Sequence, residues 1–98
     1  MIRLTITDRA IADLFEILDY IQEQNAAAAT DMDDRFWREF DFLCDFPGAG
    51  HSRSDVQDVR YRFRCIKSYV ICYRVDGSDL RILRVLHGAR DFRHIEFE

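Results

Sequence analysis

The chain has 98 residues, a net charge of −4, and 48% apolar and 33% charged residues, a balance that excludes a disordered tail and is typical of a compact domain. Its length predicts one domain, residues 1–98, and is too short for two. No apolar run could cross a bilayer and no secretion signal begins the chain, so we expect a cytoplasmic protein without a membrane partner.

The N-terminal segment predicts a short strand followed by a helix. From Met1 to Thr7, apolar residues alternate with polar ones, which is typical of a strand at the edge of a sheet. Thr7 or Asp8 can cap the helix by accepting hydrogen bonds from unpaired backbone amides. The apolar stripe of this helix comprises Ile11, Leu14, Phe15, Leu18 and Ile21. Asn25 is predicted to close the helix or to cap the next one.

A second helical pattern covers Ala26 to Asp45. Its apolar stripe comprises Ala29, Met32, Phe36, Phe40 and Leu43. Because the connection between the helices is so short, we expect an antiparallel hairpin that buries both stripes against each other and a sheet. The Pro47 to Gly50 segment ends the helix and begins a polar loop that reaches Asp58.

Three antiparallel strands are predicted between Arg60 and Asp91. The first alternates an apolar set (Val59, Tyr61, Phe63, Cys65) with a cationic set (Arg60, Arg62, Arg64), which predicts one apolar and one cationic face. The second runs from Tyr69 to Val75, and the third follows a Gly77 turn as Leu80 to Leu86. The order predicts an α+β fold: a short N-terminal strand and an antiparallel helical hairpin packed on a three- to four-stranded antiparallel sheet, whose apolar face lies on the helices.

The first half of the chain is acidic and the second half is basic. Residues 1–50 carry 4 Lys/Arg against 11 Asp/Glu, whereas residues 51–98 carry 10 against 7. Such a division most often reflects solvated surfaces, but it favours approach of an anionic partner to the sheet half.

The cysteines and histidines do not predict a metal site. Cys44, Cys65 and Cys72 contain no Cys-x-x-Cys pair, and we expect them to be buried, reduced thiols. His51 and His94 lack a ligand partner at a suitable spacing and are predicted to be surface residues. We expect neither a metal nor a cofactor.

Several short segments, spread over almost the whole chain, resemble one known family when they are taken together. They are Asp13-Leu14, Tyr20-Ile21, an alanine-rich start to the second helix, Phe46-Pro47-Gly48, Tyr69 to Arg74, and Arg84 to Asp91. Together they resemble the ParE branch of the RelE/ParE toxin superfamily. The closing Arg-Val-Leu-His-Gly-Ala-Arg-Asp segment is the most specific of them.

The resemblance implies a small bacterial toxin of a type II toxin–antitoxin pair, silenced by a cognate antitoxin that wraps around it. ParE toxins poison DNA gyrase by stabilising its cleavage complex with DNA, so catalytic residues and sequence-specific nucleic-acid binding are not expected. Two alternatives remain open. One is a ribosome-dependent mRNA endonuclease of the RelE type, and the other is an inactive module that only binds antitoxin.

Residue chemistry bears on the nuclease alternative. RNA cleavage requires clustered cations and a group that transfers protons. RelE-like enzymes, which this sequence resembles, generally place an arginine where Val70 stands and a tyrosine near the C-terminus, where this chain has Glu96. The missing cation and the added carboxylate disfavour cleavage, although Arg62, Arg64 and Arg90 could still contact nucleic acid.

Eight residues are candidates for contact with the target or the antitoxin: Trp37, Arg60, Arg62, Arg64, Arg84, His87, Arg90 and Asp91. Guanidinium groups suit bidentate contacts with phosphates or carboxylates, whereas the alternative for the strand arginines is an ordinary solvated face.

Structural roles compete with binding at the other candidates. His87 is predicted chiefly to anchor a turn by bonding Asp91 or a backbone carbonyl, and only secondarily to transfer protons. Arg90 and Asp91 are expected to form an ion pair. Trp37 is predicted to pack in the core or, if half-exposed, to anchor an antitoxin helix.

Overall fold

The computed structural model describes residues 2–98, which form two helices and a four-stranded sheet. The strand order is β1-β4-β3-β2. The elements are β1 (Arg3–Ile6), α1 (Asp8–Gln24), α2 (Ala26–Asp45), β2 (Arg62–Ile66), β3 (Tyr69–Asp76), β4 (Asp79–His87) and a 3-10 turn (Phe92–His94). The predicted α+β fold, with its N-terminal strand at a sheet edge, is confirmed. Met1, where the predicted first strand began, lies outside the described residues.

The sheet is mixed and not antiparallel throughout. β2, β3 and β4 are antiparallel neighbours as predicted, but β1 runs parallel to β4, with Ile6 opposite Ile82. The helical hairpin and the following loop separate these two strands, so no tight turn sets their relative direction. Residue alternation alone could not predict it.

The caps of both helices follow the prediction. The Thr7 hydroxyl accepts a hydrogen bond from the Ala10 N–H at 3.2 Å. Asn25 serves both helices, because its N–H donates to the Ile21 carbonyl at 2.8 Å and its side chain accepts from the Ala28 N–H at 3.0 Å. A single residue therefore ends α1 and begins α2.

The sheet buries both faces, whereas the sequence predicted an apolar face only against the helices. Ile71, Tyr73 and Ile82 pack under the helices. The opposite face carries a second buried cluster: Phe63, Val70, Cys72, Leu83 and Leu86 from the sheet, covered by Phe92 and Phe97 from the C-terminal tail. The short tail was too irregular to predict as part of a core.

β2 corrects the predicted division into faces. Arg62 and Arg64 lie on the helix side of the sheet, since they pair with Tyr73 and Ile71 in register. Phe63 is on the opposite side. Alternation shows which residues share a face but not which face the helices cover, and β2 is an edge strand that the helices cover only in part.

Other buried positions also differ from the prediction. Val59 is 84% exposed because β2 begins only at Arg62. Cys72 is buried, and burial raises the pKa of its thiol, but Cys65 is exposed and Cys44 is only half-buried. On α1, the core uses Ala10 and Leu14, while Ile11 and Phe15 point outward.

Tyr73 fixes the loop that follows α2. Its buried hydroxyl donates to the Pro47 carbonyl at 2.8 Å and accepts from the Gly50 N–H at 2.7 Å. A Cβ at Gly50 would lie 2.5 Å from the Tyr73 hydroxyl oxygen, so only glycine fits there. Burial raises the pKa of Tyr73.

We predict that Tyr73→Phe lowers the free energy of unfolding by about 1–3 kcal/mol, because the Gly50 N–H and the Pro47 carbonyl lose their partner in a buried site. Urea denaturation would measure the change. Tyr20→Phe is the matched control, since Tyr20 is 64% exposed, and its effect should stay within about 0.5 kcal/mol. Equal stabilities for the two variants would contradict the assignment.

Candidate functional site

Most arginines of the sheet half are paired with carboxylates. Arg60 lies before β2 and bonds Asp58 at 2.7 Å, and hydrogen bonds from Arg60 lower the pKa of Asp58 to about 2. Arg62 donates to the Gly50 carbonyl at 3.0 Å. Arg64 pairs with Glu39 of α2, and its guanidinium lies 4.8 Å from the Phe42 ring centre. The predicted row of three arginines on one solvated face is therefore wrong.

Arg84 is also withdrawn from the surface. Its guanidinium donates two hydrogen bonds to the Asp13 carboxylate, at 2.8 and 3.1 Å. Both side chains are largely buried, since only 14% of Arg84 and 13% of Asp13 is exposed. The same carboxylate accepts the Val85 N–H at 3.0 Å, and Arg84 also donates to the Glu96 carbonyl at 2.8 Å. Arg84 thus joins α1, β4 and the tail and does not extend a basic surface.

A cleft of about 540 Å³ lies between α1 and the end of β4. It is the largest cleft that contains sequence-predicted site residues, namely His87 and Arg90. Its other lining residues are Asp13, Glu16, Ile17, Tyr20, Ser68, Tyr69, Val85 and Leu86. Tyr20 and Tyr69 occur in the family segments, but nothing in the sequence indicated that they meet at one cleft.

His87 anchors the turn through different partners from those predicted. Its Nδ1 accepts the Ala89 N–H at 3.1 Å, and its ring lies edge-on to Tyr69 with 5.6 Å between ring centres. Asp91 pairs instead with Arg93 at 2.8 Å, and hydrogen bonds from Arg93 lower the pKa of Asp91. The predicted bond from His87 to Asp91 and the predicted pair of Arg90 with Asp91 are both wrong. Arg90 remains exposed on the rim of the cleft.

A second cleft of about 370 Å³ lies on the other side of His87. Arg53 and Lys67 line it, and no carboxylate does so among residues 2–98. Arg53 bonds Asp55 at 2.9 Å and lies 4.0 Å from the Phe92 ring centre. The end of the sheet around His87 therefore brings Arg53, Lys67 and Arg90 to the two clefts that this histidine lines.

Trp37 is half-exposed rather than buried. It is 45% exposed, its ring packs edge-on against Phe40 at 5.5 Å, and its indole N–H donates to Asp33 at 3.2 Å. The expectation of full core packing is wrong, and the half-exposed alternative describes this side chain.

Residues 2–98 offer no group of three His, Cys, Asp or Glu side chains arranged to hold a metal ion. No helix in this part of the chain is long and apolar enough to cross a membrane. His51 and His94 are exposed, as predicted.

Comparisons with known proteins agree over nearly the whole chain. Residues 4–92 match the model of the ParE toxin of the type II toxin–antitoxin system parDE. Toxin RelE2 from Caulobacter vibrioides is 34% identical over 90 residues, covering 92% of this chain and 99% of the relative. A structure of the chromosomal ParDE system from P. aeruginosa has a TM-score of 0.65 at 23% identity, over 89% of this chain and 96% of the other. That structure supports the fold.

We predict that Asp13→Ala lowers the free energy of unfolding by about 3 kcal/mol, because it leaves the Arg84 guanidinium and the Val85 N–H without an acceptor in a largely buried site. Thermal and urea unfolding would measure the loss. Asp79→Ala is the control, since Asp79 pairs with an Arg3 side chain that is 77% exposed, and its loss should be clearly smaller than that of Asp13→Ala. A smaller loss for Asp13→Ala than for the control would refute this role.

Proposed function

Because this chain belongs to the ParE family of toxins from type II toxin–antitoxin systems, we propose that it poisons DNA gyrase by holding the complex in which the enzyme has cleaved DNA. A cognate antitoxin relieves this inhibition. The proposal places the toxin in the cytoplasm, where gyrase acts, and assigns it no cofactor and no catalytic residue.

The pairing of arginines is the observation that carries the proposal. Among residues 2–98, nine of the 14 Lys and Arg side chains lie within 4.0 Å of a carboxylate. A ribonuclease must neutralise the extra charge of a pentavalent phosphate, and paired guanidinium groups are poorly suited to that task. The charge distribution therefore favours a toxin that acts by binding.

The position of Val70 supports the same conclusion. Its side chain is 4% exposed and packs in the cluster beneath the C-terminal tail, near Phe63 and Phe92. RelE-like enzymes, which this sequence resembles, generally place an arginine at this position. In this chain an apolar core residue stands there, so the cation is missing.

A ribosome-dependent endonuclease is the second candidate. Two observations favour it: a relative with 34% identity is named Toxin RelE2, and His87 lies between clefts that contain Arg90 and Lys67. A histidine beside unpaired cations could transfer a proton during phosphoryl transfer. An inactive module that only binds antitoxin would show neither activity.

We expect purified toxin to trap linear plasmid DNA when it is incubated with gyrase and ATP and the products are treated with detergent and protease. Added antitoxin should abolish the linear product. Gyrase that cleaves no more DNA with toxin than without it would contradict the proposal. Cleavage of mRNA on translating ribosomes would then establish the second candidate.

We predict that His87→Ala combined with Arg90→Ala reduces the trapped product about tenfold, because both side chains are exposed at the cleft and available to the target. Arg93→Ala is the matched control, since Arg93 is a neighbouring arginine that is already paired with Asp91. Quantified linear DNA at a series of toxin concentrations would measure the difference. Equal losses for the two variants would exclude a specific role of the cleft.

A further inference from the structure

The side chain of Glu98 lies among arginines on the face of the sheet that the C-terminal tail (residues 92–98) covers. Its Oε2 accepts a hydrogen bond from the Arg74 guanidinium at 2.6 Å and another from the Tyr61 hydroxyl at 2.8 Å. The Arg74 side chain is only 13% exposed, and its guanidinium also bonds Asp76 at 2.7 Å. The sheet therefore holds a largely buried guanidinium that binds a carboxylate of the tail.

Arg81 of β4 is a third donor at this place. It lies opposite Arg74 in the register of β3 and β4, so both side chains are on the same face of the sheet. Its guanidinium is 3.9 Å from the carboxylate of Glu98 and 3.9 Å from that of Asp76, which is too long for a hydrogen bond. Glu98 thus uses two of the three donors, and the guanidinium of Arg81 keeps its own available.

The charge of this anion site, which comprises Tyr61, Arg74 and Arg81, depends on Glu98. Within residues 2–98, Asp76 is the other carboxylate that lies within 4.0 Å of either arginine. Asp76 and Glu98 together balance the two guanidinium groups. When Glu98 moves away, one positive charge is left without a partner. The hydroxyl of Tyr61 stays protonated at neutral pH, because burial and the bond to Glu98 raise its pKa to about 12.

Glu98 is held in the anion site by its side chain. No backbone-to-backbone hydrogen bond within residues 2–98 involves Phe97 or Glu98. The Glu98 side chain is 34% exposed, whereas the Phe97 ring is buried and packs against Phe63 and Tyr61. Since Phe97 anchors the tail, Glu98 can leave the site without opening the core beneath it.

We propose that the anion site binds a backbone phosphate of the DNA in the gyrase complex, and that Glu98 blocks the site in the free toxin. Each DNA phosphate carries one negative charge, so it can replace Glu98 without leaving an arginine unpaired. Arginine and tyrosine side chains commonly donate to phosphate oxygens. A tetrahedral phosphate can also accept from Arg81, which the planar carboxylate does not reach. The assignment rests on the proposed function, because that function brings the toxin to DNA.

The first test is fluorescence anisotropy of a short labelled DNA duplex titrated with purified toxin. Glu98→Gln keeps the length of the side chain but removes its charge, and it should lower Kd about tenfold, because the competitor for the site is weakened. Arg81→Gln added to Glu98→Gln should cancel this gain, since the phosphate then loses one of its donors. A Kd of Glu98→Gln equal to that of wild type overturns the proposal.

Two matched controls remove the same charges elsewhere. Glu96→Gln neutralises a tail carboxylate that is 77% exposed and pairs with Arg9 outside the anion site, and it should change Kd less than about twofold. Arg35→Gln added to Glu98→Gln removes an exposed cation of α2, across the sheet from the tail, and should keep most of the gain. Equal effects of Glu96→Gln and Glu98→Gln, or of Arg35→Gln and Arg81→Gln, overturn the proposal.

Thiol labelling shows whether the tail stays in place. Cys72 is buried in the cluster beneath the tail, so in a background with Cys44→Ser and Cys65→Ser its reaction with a thiol reagent reports opening of the tail. Glu98→Gln should leave Cys72 as protected as it is in that background alone, because Phe97 remains packed. Fast labelling would mean that the whole tail has detached, and a gain in DNA affinity that depends on this detachment overturns the assignment to the anion site.

Gyrase assays distinguish failure of this inference from failure of the proposed function. If wild-type toxin traps cleaved DNA, Glu98→Gln should trap the same amount at about one-tenth of the toxin concentration. Equal concentrations for the two proteins overturn the inference and leave the proposed function standing. If wild-type toxin traps no DNA, the proposed function fails, and the Kd series alone decides whether the anion site binds DNA.

Discussion

The fold depends on how the backbone groups along the unpaired edge of β4 find hydrogen-bond partners. β4 has nine residues and its neighbour β1 has four, so β4 continues past Ile82 without a strand partner on that side. Side chains around α1 take over this function, because the Thr7 hydroxyl donates to the Leu83 carbonyl and Asp13 accepts the Val85 N–H. Unpaired backbone groups in a buried site are costly, so this edge sets the position of α1 on the sheet. Since Asp13 also holds Arg84, the same contact organises the C-terminal tail.

Local signals account for what the sequence predicted well. Thr7 and Asn25 are caps whose partners lie three or four residues away, and the apolar spacing of both helices extends over several turns. The faces of the sheet depend on contacts between distant segments. A bulge in β4, where Tyr73 pairs with Ile82 but Cys72 pairs with Arg84, changes the alternation within that strand. No pattern within β4 predicted it.

The candidate site also depends on contacts between distant segments, which local sequence patterns do not predict. The sequence identified the arginines, but whether the charge of each is paired depends on partners far along the chain, such as Glu39 for Arg64 and Asp13 for Arg84. The local sequence does not distinguish Arg93 from the adjacent Arg90 as the partner of Asp91. In the structure Arg93 binds Asp91, and Arg90 lines the cleft. His87 and Arg90 are close in sequence and line the same cleft, while Tyr20 and Ser68 join them only through tertiary packing.

The single-residue connection at Asn25 has a consequence for how such proteins diverge. With an extended backbone at this residue (φ −165°, ψ 112°) and no spare loop, the phase of α2 relative to α1 is set by chain length alone. One inserted residue would rotate α2 by about 100°, which would carry Phe36 out of the core. An insertion at Asn25 would therefore disturb the core, whereas an exchange of exposed side chains on the outer faces of the two helices leaves their packing unchanged. The surface of the hairpin can thus change one side chain at a time while the fold stays the same.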